Sequence, residues 1–539
     1  MADTPPTPEA AEPEPRCRVK MADEKPCGRQ IHSVSGREQV PLCLMHTMDP
    51  KKSNDAFQAE FERTLADAER NHIVADFSFF VFPASNYSGR TFLPECDFSR
   101  ALFKQDANFP WVTFAQSARF NTATFAQNAD FGGATLHNNA DFYRATFAQK
   151  TDFSGAIFTQ YANFNRAAFR KNAMFSGVTF TENVDFSDAT FTQHANFMSI
   201  DFSHATFIQN ANFTGAEFPQ DADFHHATFA HNANFSRATF TQEADFRQAT
   251  FSDAATFRET KFRYDSSLQP GLLFTDVKIA HPGQIEFHTT NLSHALFYNT
   301  DVSSLDFTLT EWRRRTATRF CLFEESVDLL YAAELKSNEG SHNGRNYALI
   351  AETYQQLKRN YDAKGDYWTA GHWHYGEMEM KRLHSGWSRK PMRWLDQNLS
   401  LVALYKYASE YGESYTRALL WLAGFLLAFS LLYPLLGIYP ATGLSLNPPD
   451  EKIATALNHL NYWNYPVFFA AHPDEHPQGL LGVALHGLMT SLSVAGFQKE
   501  LRYMPSYPWG RMMALLEILL TTTLAGLFAL AIRRQFKRS

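Results

Sequence analysis

The sequence predicts a multidomain fold in which a repeat solenoid is followed by a helical segment and a membrane domain. Three observations lead to this expectation. A phenylalanine returns every five or six residues between 97 and 262, the apolar spacing becomes helical after Trp312, and two long apolar segments lie near the C-terminus. At 539 residues the chain also exceeds a single ordinary core, so several domains are expected.

The N-terminal region begins with an acidic, proline-rich stretch over 1–15, which predicts a disordered tail without a signal peptide. The residues that follow contain three thiols and one imidazole: Cys17, Cys27, Cys43 and His46. Such a set suits a tetrahedral structural zinc ion, so we predict a zinc knuckle over 16–50. His32 is an alternative ligand to His46, and the competing interpretation is a set of ordinary reduced thiols in a flexible tail.

Apolar residues then recur at helical spacing, at Phe57, Phe61 and Leu65. They predict an amphipathic helix over 54–71 with Asn54 or Asp55 as its N-cap. Since the terminal coils of a solenoid need a cap, we expect this helix to cover its open end. Residues 51–96 are therefore interpreted as the capping helix and a lead-in to the first coil.

The phenylalanine repeat over 97–262 alternates steps of five and six residues, so its unit has eleven residues. Leu136 is its single non-aromatic member, and two five-residue steps follow each other at Phe197, Phe202 and Phe207. A small residue usually lies two positions before each phenylalanine, and Asp or Asn directly precedes alternate ones. This spacing fits neither a helix nor a strand, so it indicates a solenoid with aromatic rings stacked over alanines.

The pattern resembles the pentapeptide-repeat family, written A-[DN]-L-x-x, with Phe in the central place. The resemblance implies a right-handed quadrilateral β-helix over 97–312, in which the extra residue of each six-residue step bulges at a corner. With four sides to a coil, 97–262 would form about eight coils and extend about 40 Å. A five-residue period returns over 287–312, and 263–286 is interpreted as an irregular coil of the same solenoid.

The charge of the repeat restricts its partners. Within 97–262 there are 16 Asp plus Glu against 12 Lys plus Arg, a net charge of −4, which is too mild for a DNA mimic. The repeat has no basic stripe either, so no nucleic-acid partner is expected. A nucleophile, a base and an orienting residue do not recur together, and clusters such as His225 and His226 are typical of a solvated surface. The repeat is therefore predicted to be a scaffold or recognition surface for an unknown protein partner, and not an enzyme.

Residues 313–416 are predicted to form a helical adaptor. Leu329, Leu330, Ala333 and Leu335 suggest a first helix. A second covers 345–363, a break follows at Gly365 and Asp366, and a third continues to about Leu383. The stretch 391–416 is amphipathic and rich in aromatic and basic residues, which is typical of a membrane interface.

The C-terminal region 417–539 is predicted to be a membrane domain with two spans, at 418–439 and 512–532. Only Glu517 is ionisable within the second span. Basic residues flank the outer ends of both spans, so both termini should be cytoplasmic and the linker 440–511 should lie outside. The expected location is the inner cell membrane of a bacterium.

Between the spans lies an apolar, glycine-containing segment over 479–498, which we interpret as a re-entrant helix and loop. The arrangement resembles the two-helix tetrameric cation channels of the potassium-channel superfamily, whose filter reads T-V-G-Y-G. The positions that match this loop are Thr490, Ser493, Val494, Ala495, Gly496, Phe497 and Gln498. Gln498 stands where the second filter glycine would be and Lys499 replaces the usual acid, so weak selectivity among monovalent cations is expected.

The sequence therefore predicts a homotetrameric membrane protein in which a pentapeptide-repeat scaffold or sensor precedes a cation-channel-like pore. The alternative is a membrane-anchored interaction scaffold that does not conduct.

Overall fold

The computed structural model describes residues 16–21, 24–35, 40–49, 51–192, 200–263, 269–325, 346–384, 390–436, 438–440, 479–496, 503–505 and 509–538. The chain divides into two compact units, Met1–Asn360 and Tyr361–Ser539. The predicted tail 1–15, the helix suggested around Leu329 and most of the predicted linker fall outside the described residues.

The first unit is built around a four-sided parallel β-solenoid of about ten turns. Its first sheet has 11 strands: Ala75–Asp76, Cys96–Asp97, Ala118–Arg119, Ala140–Asp141, Ala162–Asn163, Val184–Asp185, Ala211–Asn212, Ala233–Asn234, Ala255–Thr256, Ile285–His288 and Asp306–Thr308. The second has nine: Val81–Phe82, Leu102–Phe103, Thr124–Phe125, Thr146–Phe147, Ala168–Phe169, Thr190–Phe191, Glu217–Phe218, Thr239–Phe240 and Lys261–Phe262.

The third sheet has ten strands: Ser85–Asn86, Ala107–Asn108, Ala129–Asp130, Thr151–Asp152, Ala173–Met174, Ile200–Asp201, Ala222–Asp223, Ala244–Asp245, Leu272–Leu273 and Ala295–Leu296. The fourth has nine: Thr91–Phe92, Thr113–Phe114, Thr135–Leu136, Ile157–Phe158, Thr179–Phe180, Thr206–Phe207, Thr228–Phe229, Thr250–Phe251 and Lys278–Ile279. Thr113 pairs with Thr135, so one coil takes 22 residues, or two of the eleven-residue units. The predicted parallel, four-sided solenoid is confirmed.

Two kinds of corner alternate along each coil. Four residues separate strand Cys96–Asp97 from Leu102–Phe103, and three separate that strand from Ala107–Asn108. The longer corner begins with a phenylalanine, and its third residue is left-handed, as at Arg100 with φ 58°. This alternation produces the steps of five and six residues, so two regular corner types take the place of the corner bulge that we expected.

The interior consists of columns of phenylalanine rings. Phe120 lies 4.9 Å from Phe142, and Phe142 lies 4.8 Å from Phe164, with interplanar angles of 3° and 1°. All three side chains are fully buried, as are Ala140 and Ala162, which precede two of them. The predicted stack of rings over alanines is therefore confirmed, and it is the main apolar core of this unit.

The solenoid begins one coil before its predicted start at residue 97, whereas its last strand, Asp306–Thr308, lies within the predicted range 97–312. Its first strand is Ala75–Asp76, within the segment interpreted as a lead-in. Strands Leu272–Leu273 and Lys278–Ile279 continue the sheets through the irregular stretch, as predicted. Between Thr179 and its partner Thr206 the coil takes 27 residues, and the position of Phe197 within it lies outside the described residues.

The N-terminal end of the solenoid is covered by helix α1 (Asn54–Asn71), at the predicted position. Its N-cap is Ser53, which precedes the predicted capping residues and accepts a hydrogen bond from the backbone of Ala56. Phe61 stacks on Phe77 at a centroid distance of 4.4 Å, and Phe57 lies 5.3 Å from Phe82. The helix therefore continues the aromatic core beyond the first coil.

The C-terminal end is covered by α2 (Tyr347–Ala363), which bonds to the backbone of a late coil. Gln356 Oε1 accepts from the Val302 amide at 3.0 Å, and Asn360 Nδ2 donates to the carbonyls of Val302 and Leu305 at 3.0 and 2.7 Å. These amide side chains satisfy backbone groups that have no further coil to pair with.

Short elements complete the first unit. Antiparallel strand pairs join Ile31–Ser35 to Val40–Cys43 and Arg314–Thr316 to Arg319–Phe320. Two 3₁₀ turns cover Pro282–Gln284 and Phe323–Glu325.

The helices of the second unit are α3 (Tyr367–Leu383), α4 (Lys390–Leu399), α5 (Leu401–Ser409), α6 (Tyr415–Leu436), α7 (Gly479–Val494) and α8 (Trp509–Arg538). Gly365 is left-handed at φ 80° and Asp366 caps α3, so the predicted chain break is present. α6 ends before Ile438–Pro440, which instead forms a strand antiparallel to Tyr503–Pro505. The helix at the first predicted span, 418–439, therefore ends three residues earlier, at Leu436.

Candidate functional site

The structure brings the four predicted zinc ligands together. Cys17 Sγ lies 3.4 Å and Cys43 Sγ lies 3.2 Å from His46 Nδ1, and Cys27 Sγ lies 3.7 Å from Cys43 Sγ. All four ligand atoms lie within 4.8 Å of one another. Around a tetrahedral zinc ion, two thiolates would be separated by about 3.8 Å, and a thiolate and an imidazole nitrogen by about 3.5 Å. The distances fit such an ion and are too long for a disulfide.

Three segments of the chain carry these ligands. Backbone hydrogen bonds pair the segment around Cys17 with the segment around Cys27. They join Cys17 to Arg29 and Cys27 to Val19. Cys43 ends a strand, and the turn that follows returns His46 to the same point, where its amide donates to the Cys43 carbonyl. The turn explains the C-x2-H spacing, which places both ligands on one side.

Arg29 links this cluster to helix α1 and to Phe80 at the N-terminal end of the solenoid. Its guanidinium donates to Cys27 Sγ at 3.4 Å, to Glu60 at 2.8 Å and to Thr64 at 3.1 Å, and it lies over the ring of Phe80. Hydrogen bonds from Cys43, His46 and Arg29 lower the pKa of the Cys27 thiol, although burial acts against them. The same contact with Cys27 raises the pKa of the Cys43 thiol, so within this pair Cys27 is the one favoured as a thiolate, the form that binds metals.

A second candidate site lies among the apolar helices. α6 and the part of α8 up to Arg534 are long and apolar enough to cross a membrane. Large apolar side chains on both are exposed, such as Leu420 at 72% and Leu515 at 69%. A surface of this kind suits contact with lipid or with further apolar helices.

α7 is shorter than a span and packs closely against α6. Its 16 residues extend about 24 Å, below the roughly 30 Å of a bilayer core. A Cβ atom on Gly487 would lie only 1.9 Å from the Ser430 carbonyl oxygen, so only glycine permits this helix contact. The strand pair at Ile438–Pro440 and Tyr503–Pro505 joins the chain leaving α6 to the chain entering α8.

The predicted filter residues occupy the end of α7. Thr490 and Ser493 direct their hydroxyls to helix carbonyls, at 2.8 Å to His486 and 2.7 Å to Met489. Val494 is the last residue of α7.

Beyond α7, Ala495 and Gly496 form a turn in which Gly496 is left-handed at φ 84°. Phe497 and Gln498 lie outside the described residues.

Three polar side chains meet between the apolar helices, and the sequence alone did not connect them. The hydroxyls of Tyr433 and Ser491 both hydrogen-bond to the carboxyl group of Glu517. All three side chains are fully buried. Glu517 was visible in the sequence as an isolated acid in a span, which is a recognisable signal, but its partners are separated from it in the chain.

A charged network lies at the end of the second unit that carries the basic C-terminal residues. Glu379 on α3 pairs with Arg382 at 2.7 Å and with Lys406 at 2.8 Å, and it accepts from the Tyr411 hydroxyl at 2.8 Å. Burial alone would raise the pKa of Glu379, but these partners lower it to about 2. Arg534 near the end of α8 donates to the Tyr411 carbonyl at 2.8 Å. The adaptor helices are thus bonded to the end of the last helix.

The comparisons with known proteins identify the repeat. A family model described as pentapeptide repeats (nine copies) matches residues 131–179, 153–197 and 193–239. This part of the chain therefore consists of pentapeptide repeats. No curated protein matches the chain.

Two solved structures resemble the chain weakly. One is full-length QnrB1, a plasmid-mediated fluoroquinolone resistance protein, with 15% identity over 43% of this chain and 92% of that chain, at a TM-score of 0.16. The other is a trypsin-treated variant of QnrB1, with 16% identity over 43% and 94% of the two chains, at a TM-score of 0.13.

Proposed function

We propose that the protein is an integral membrane protein in which a pentapeptide-repeat scaffold, capped at both ends, precedes a tetrameric cation-channel-like pore. Its location would be the inner cell membrane, with both termini cytoplasmic and the scaffold surface binding a protein partner. The single observation that carries the pore is α7. This helix is too short to span, packs against both long apolar helices, and is followed by a turn with a left-handed glycine, Gly496.

Re-entrant geometry is supported by the way the chain returns. The ends of the linker between α6 and α8 are joined by the strand pair at Ile438–Pro440 and Tyr503–Pro505. Two antiparallel spans would place both strands on one side of the bilayer, and α7 would enter from that side. The exposed leucines of α6 and α8 would then face lipid or neighbouring subunits, which is the arrangement that a tetramer requires.

Current recording from purified protein in planar bilayers tests this function. Wild-type protein should conduct monovalent cations with weak selectivity. Gly496→Val should abolish the current without changing insertion or subunit number, because a branched side chain is strained at φ 84°. Gly424→Val is the matched control, since a Cβ at Gly424 meets nothing within 4 Å.

If wild-type tetramers pass no current under any tested voltage, pH or ligand, the protein is a membrane-anchored scaffold and the pore is rejected. Equal currents from wild type and Gly496→Val would also reject the loop as a filter.

A structural zinc ion at the N-terminal cluster is the second part of the proposal. Cys17, Cys27, Cys43 and His46 would hold it, with His46 binding through Nδ1. A metal at this point would join the segment that carries Cys17 and Cys27 to the turn at 43–46. Since Met45 accepts a backbone bond from Val81 of the first coil, the zinc-bound turn would also extend the cap of the solenoid.

Elemental analysis of protein purified without chelators tests this part, with about one zinc per chain expected. Cys43→Ser should lose the metal. Cys321→Ser should keep it, because Cys321 is a buried cysteine elsewhere in the chain. Wild-type protein without metal, or equal zinc in Cys43→Ser and wild type, would reject the site.

A further inference from the structure

The hydrogen bonds in the buried polar contact between α6, α7 and α8 indicate whether the carboxyl group of Glu517 is protonated. Ser491 Oγ lies at hydrogen-bond distance from one carboxyl oxygen of Glu517, and 3.2 Å from the carbonyl oxygen of Leu426 on α6. Tyr433 Oη bonds to the other carboxyl oxygen. We refer to Tyr433, Ser491 and Glu517 as the three-helix node.

Counting hydrogens shows which form of the acid completes the node. An ionised Glu517 offers only acceptors, so the hydroxyl hydrogens of Ser491 and Tyr433 would have to serve two carboxylate oxygens and the Leu426 carbonyl. With a proton on Glu517, the acid donates to Ser491 Oγ, Ser491 donates to Leu426, and Tyr433 donates to the other acid oxygen. Each of the three oxygen–oxygen contacts then has its own hydrogen, and no charge lies in an apolar setting.

The node lies where it can fix the end of α7. Ser491 is the only member on that helix, and Val494, one turn later, packs against Phe429 and Tyr433. Gly487, one turn earlier, allows the backbone contact with Ser430. The helix is therefore held by close packing on one turn and by hydrogen bonds on the next, directly before the turn at Gly496.

We propose that Glu517 is a positioning residue that acts as a neutral acid and fixes the rotation and depth of α7, and with it the turn at 495–496. This inference rests on the proposed pore, because Glu517 would hold the helix that leads into the pore loop. It does not require that the pore conducts. Neither the sequence pattern nor the comparisons assign a role to Glu517.

Hydrogen–deuterium exchange of the full chain in lipid nanodiscs tests the proposal, followed on peptides from 479–496. Glu517→Gln keeps a neutral group with a donor and an acceptor, so exchange should stay within about threefold of wild type. Glu517→Ala removes both bonds and should speed exchange at least about tenfold. Thr523→Val is the matched control on α8, since Thr523 is exposed and its hydroxyl donates to the Leu519 carbonyl of its own helix.

Rescue by glutamine separates positioning from a general loss of folding. Exchange in Glu517→Ala that matches wild type would overturn the proposal, because the node would then hold nothing. Fast exchange in Glu517→Gln as well as in Glu517→Ala would also overturn it, because the ionised form would be needed. If Glu517→Ala does not fold, Ser491→Ala removes only one link, and the same tenfold faster exchange is expected for it.

Current recorded from the same samples distinguishes this inference from the proposed function. Absent wild-type current with the expected exchange pattern would reject conduction and keep the node. Normal wild-type current with unchanged exchange in Glu517→Ala would keep conduction and reject the node.

Discussion

The solenoid and the long apolar helices α6 and α8 differ in whether their apolar side chains are buried or exposed. Phe164 in the middle of the solenoid is fully buried between rings of neighbouring coils, whereas Leu420 on α6 and Leu515 on α8 are mostly exposed. Composition cannot distinguish these uses, since both regions are rich in apolar residues. The spacing of the apolar residues distinguishes the two uses. A fixed period of five or six residues directs the side chains inward, whereas an unbroken apolar run leaves many of its side chains exposed.

Polar groups differ between the two regions as well. Within the solenoid, Asp and Asn before alternate phenylalanines accept the backbone amide two residues later, as Asp141 does from Tyr143 at 2.9 Å. In the second unit, Glu379 bonds to Arg382 on its own helix and also to distant partners, Lys406 on α5 and Tyr411 in the loop after α5. The solenoid therefore repeats one local bond, whereas the helices depend on single contacts between distant residues.

The largest expected effect is a charge in the phenylalanine stack. Phe164→Asp places a carboxylate between the rings of Phe142 and Phe186, which lie 4.8 and 4.7 Å away. We expect the solenoid to lose more than about 4 kcal/mol of unfolding free energy, since a buried charge there has no partner. Urea unfolding followed by β-sheet circular dichroism measures this.

The control for this substitution is Ile157→Asp, which adds the same charge at a residue that is 41% exposed on the same coil. Similar urea midpoints for both variants would contradict this prediction, because the phenylalanine rings would then not form the core.

A smaller effect is expected in the adaptor. Glu379 has a pKa lowered to about 2, so its pairs stabilise the fold fully above its unfolded pKa of about 4.3. This contribution is lost as the pH falls from there through 2. Glu379→Gln should therefore lower the stability of the adaptor by about 3 kcal/mol at pH 7 and by nearly nothing at pH 2. Protection of α3 and α5 from proteolysis measures this stability, with a neutral protease at pH 7 and with pepsin at low pH.

Glu352→Gln, an exposed acid on α2, provides the control and should leave both values unchanged. An unaltered adaptor in Glu379→Gln at neutral pH would show that the network contributes nothing.

The smallest effect concerns Glu324 at the C-terminal end of the solenoid. Burial raises its pKa to about 7, although the Phe297 amide donates to it at 2.7 Å. The folded state therefore keeps a proton that the unfolded state has lost, and stability should fall as the pH rises from about 4.3 to 7. Between pH 5 and pH 8 we expect the unfolding free energy of the solenoid, measured by urea denaturation, to fall by about 2.5 kcal/mol.

Glu324→Gln should remove this pH dependence. The neighbouring Glu325, which pairs with Arg315, should not remove it when changed to Gln. A slope that persists in Glu324→Gln would assign the effect to another group.

The sequence by itself determined the elements that depend on repetition or on unbroken runs. The phenylalanine period fixed the solenoid, the spacing of Phe57 and Phe61 fixed α1, and the apolar runs fixed α6 and α8 to within a few residues. These signals are local, because each is carried by the spacing of side chains along one segment. The set of Cys and His residues could also be named from the sequence, because few residue types bind zinc.

The tertiary structure alone decided which distant polar groups meet. Glu517 could be seen as an isolated acid, but its bonds to Tyr433 and Ser491 depend on how three helices pack. The burial of Glu324 likewise depends on the end of the solenoid, where the regular period has stopped. Such contacts follow from burial, which makes each polar group find a partner wherever the chain supplies one, and no spacing along the sequence records that partner.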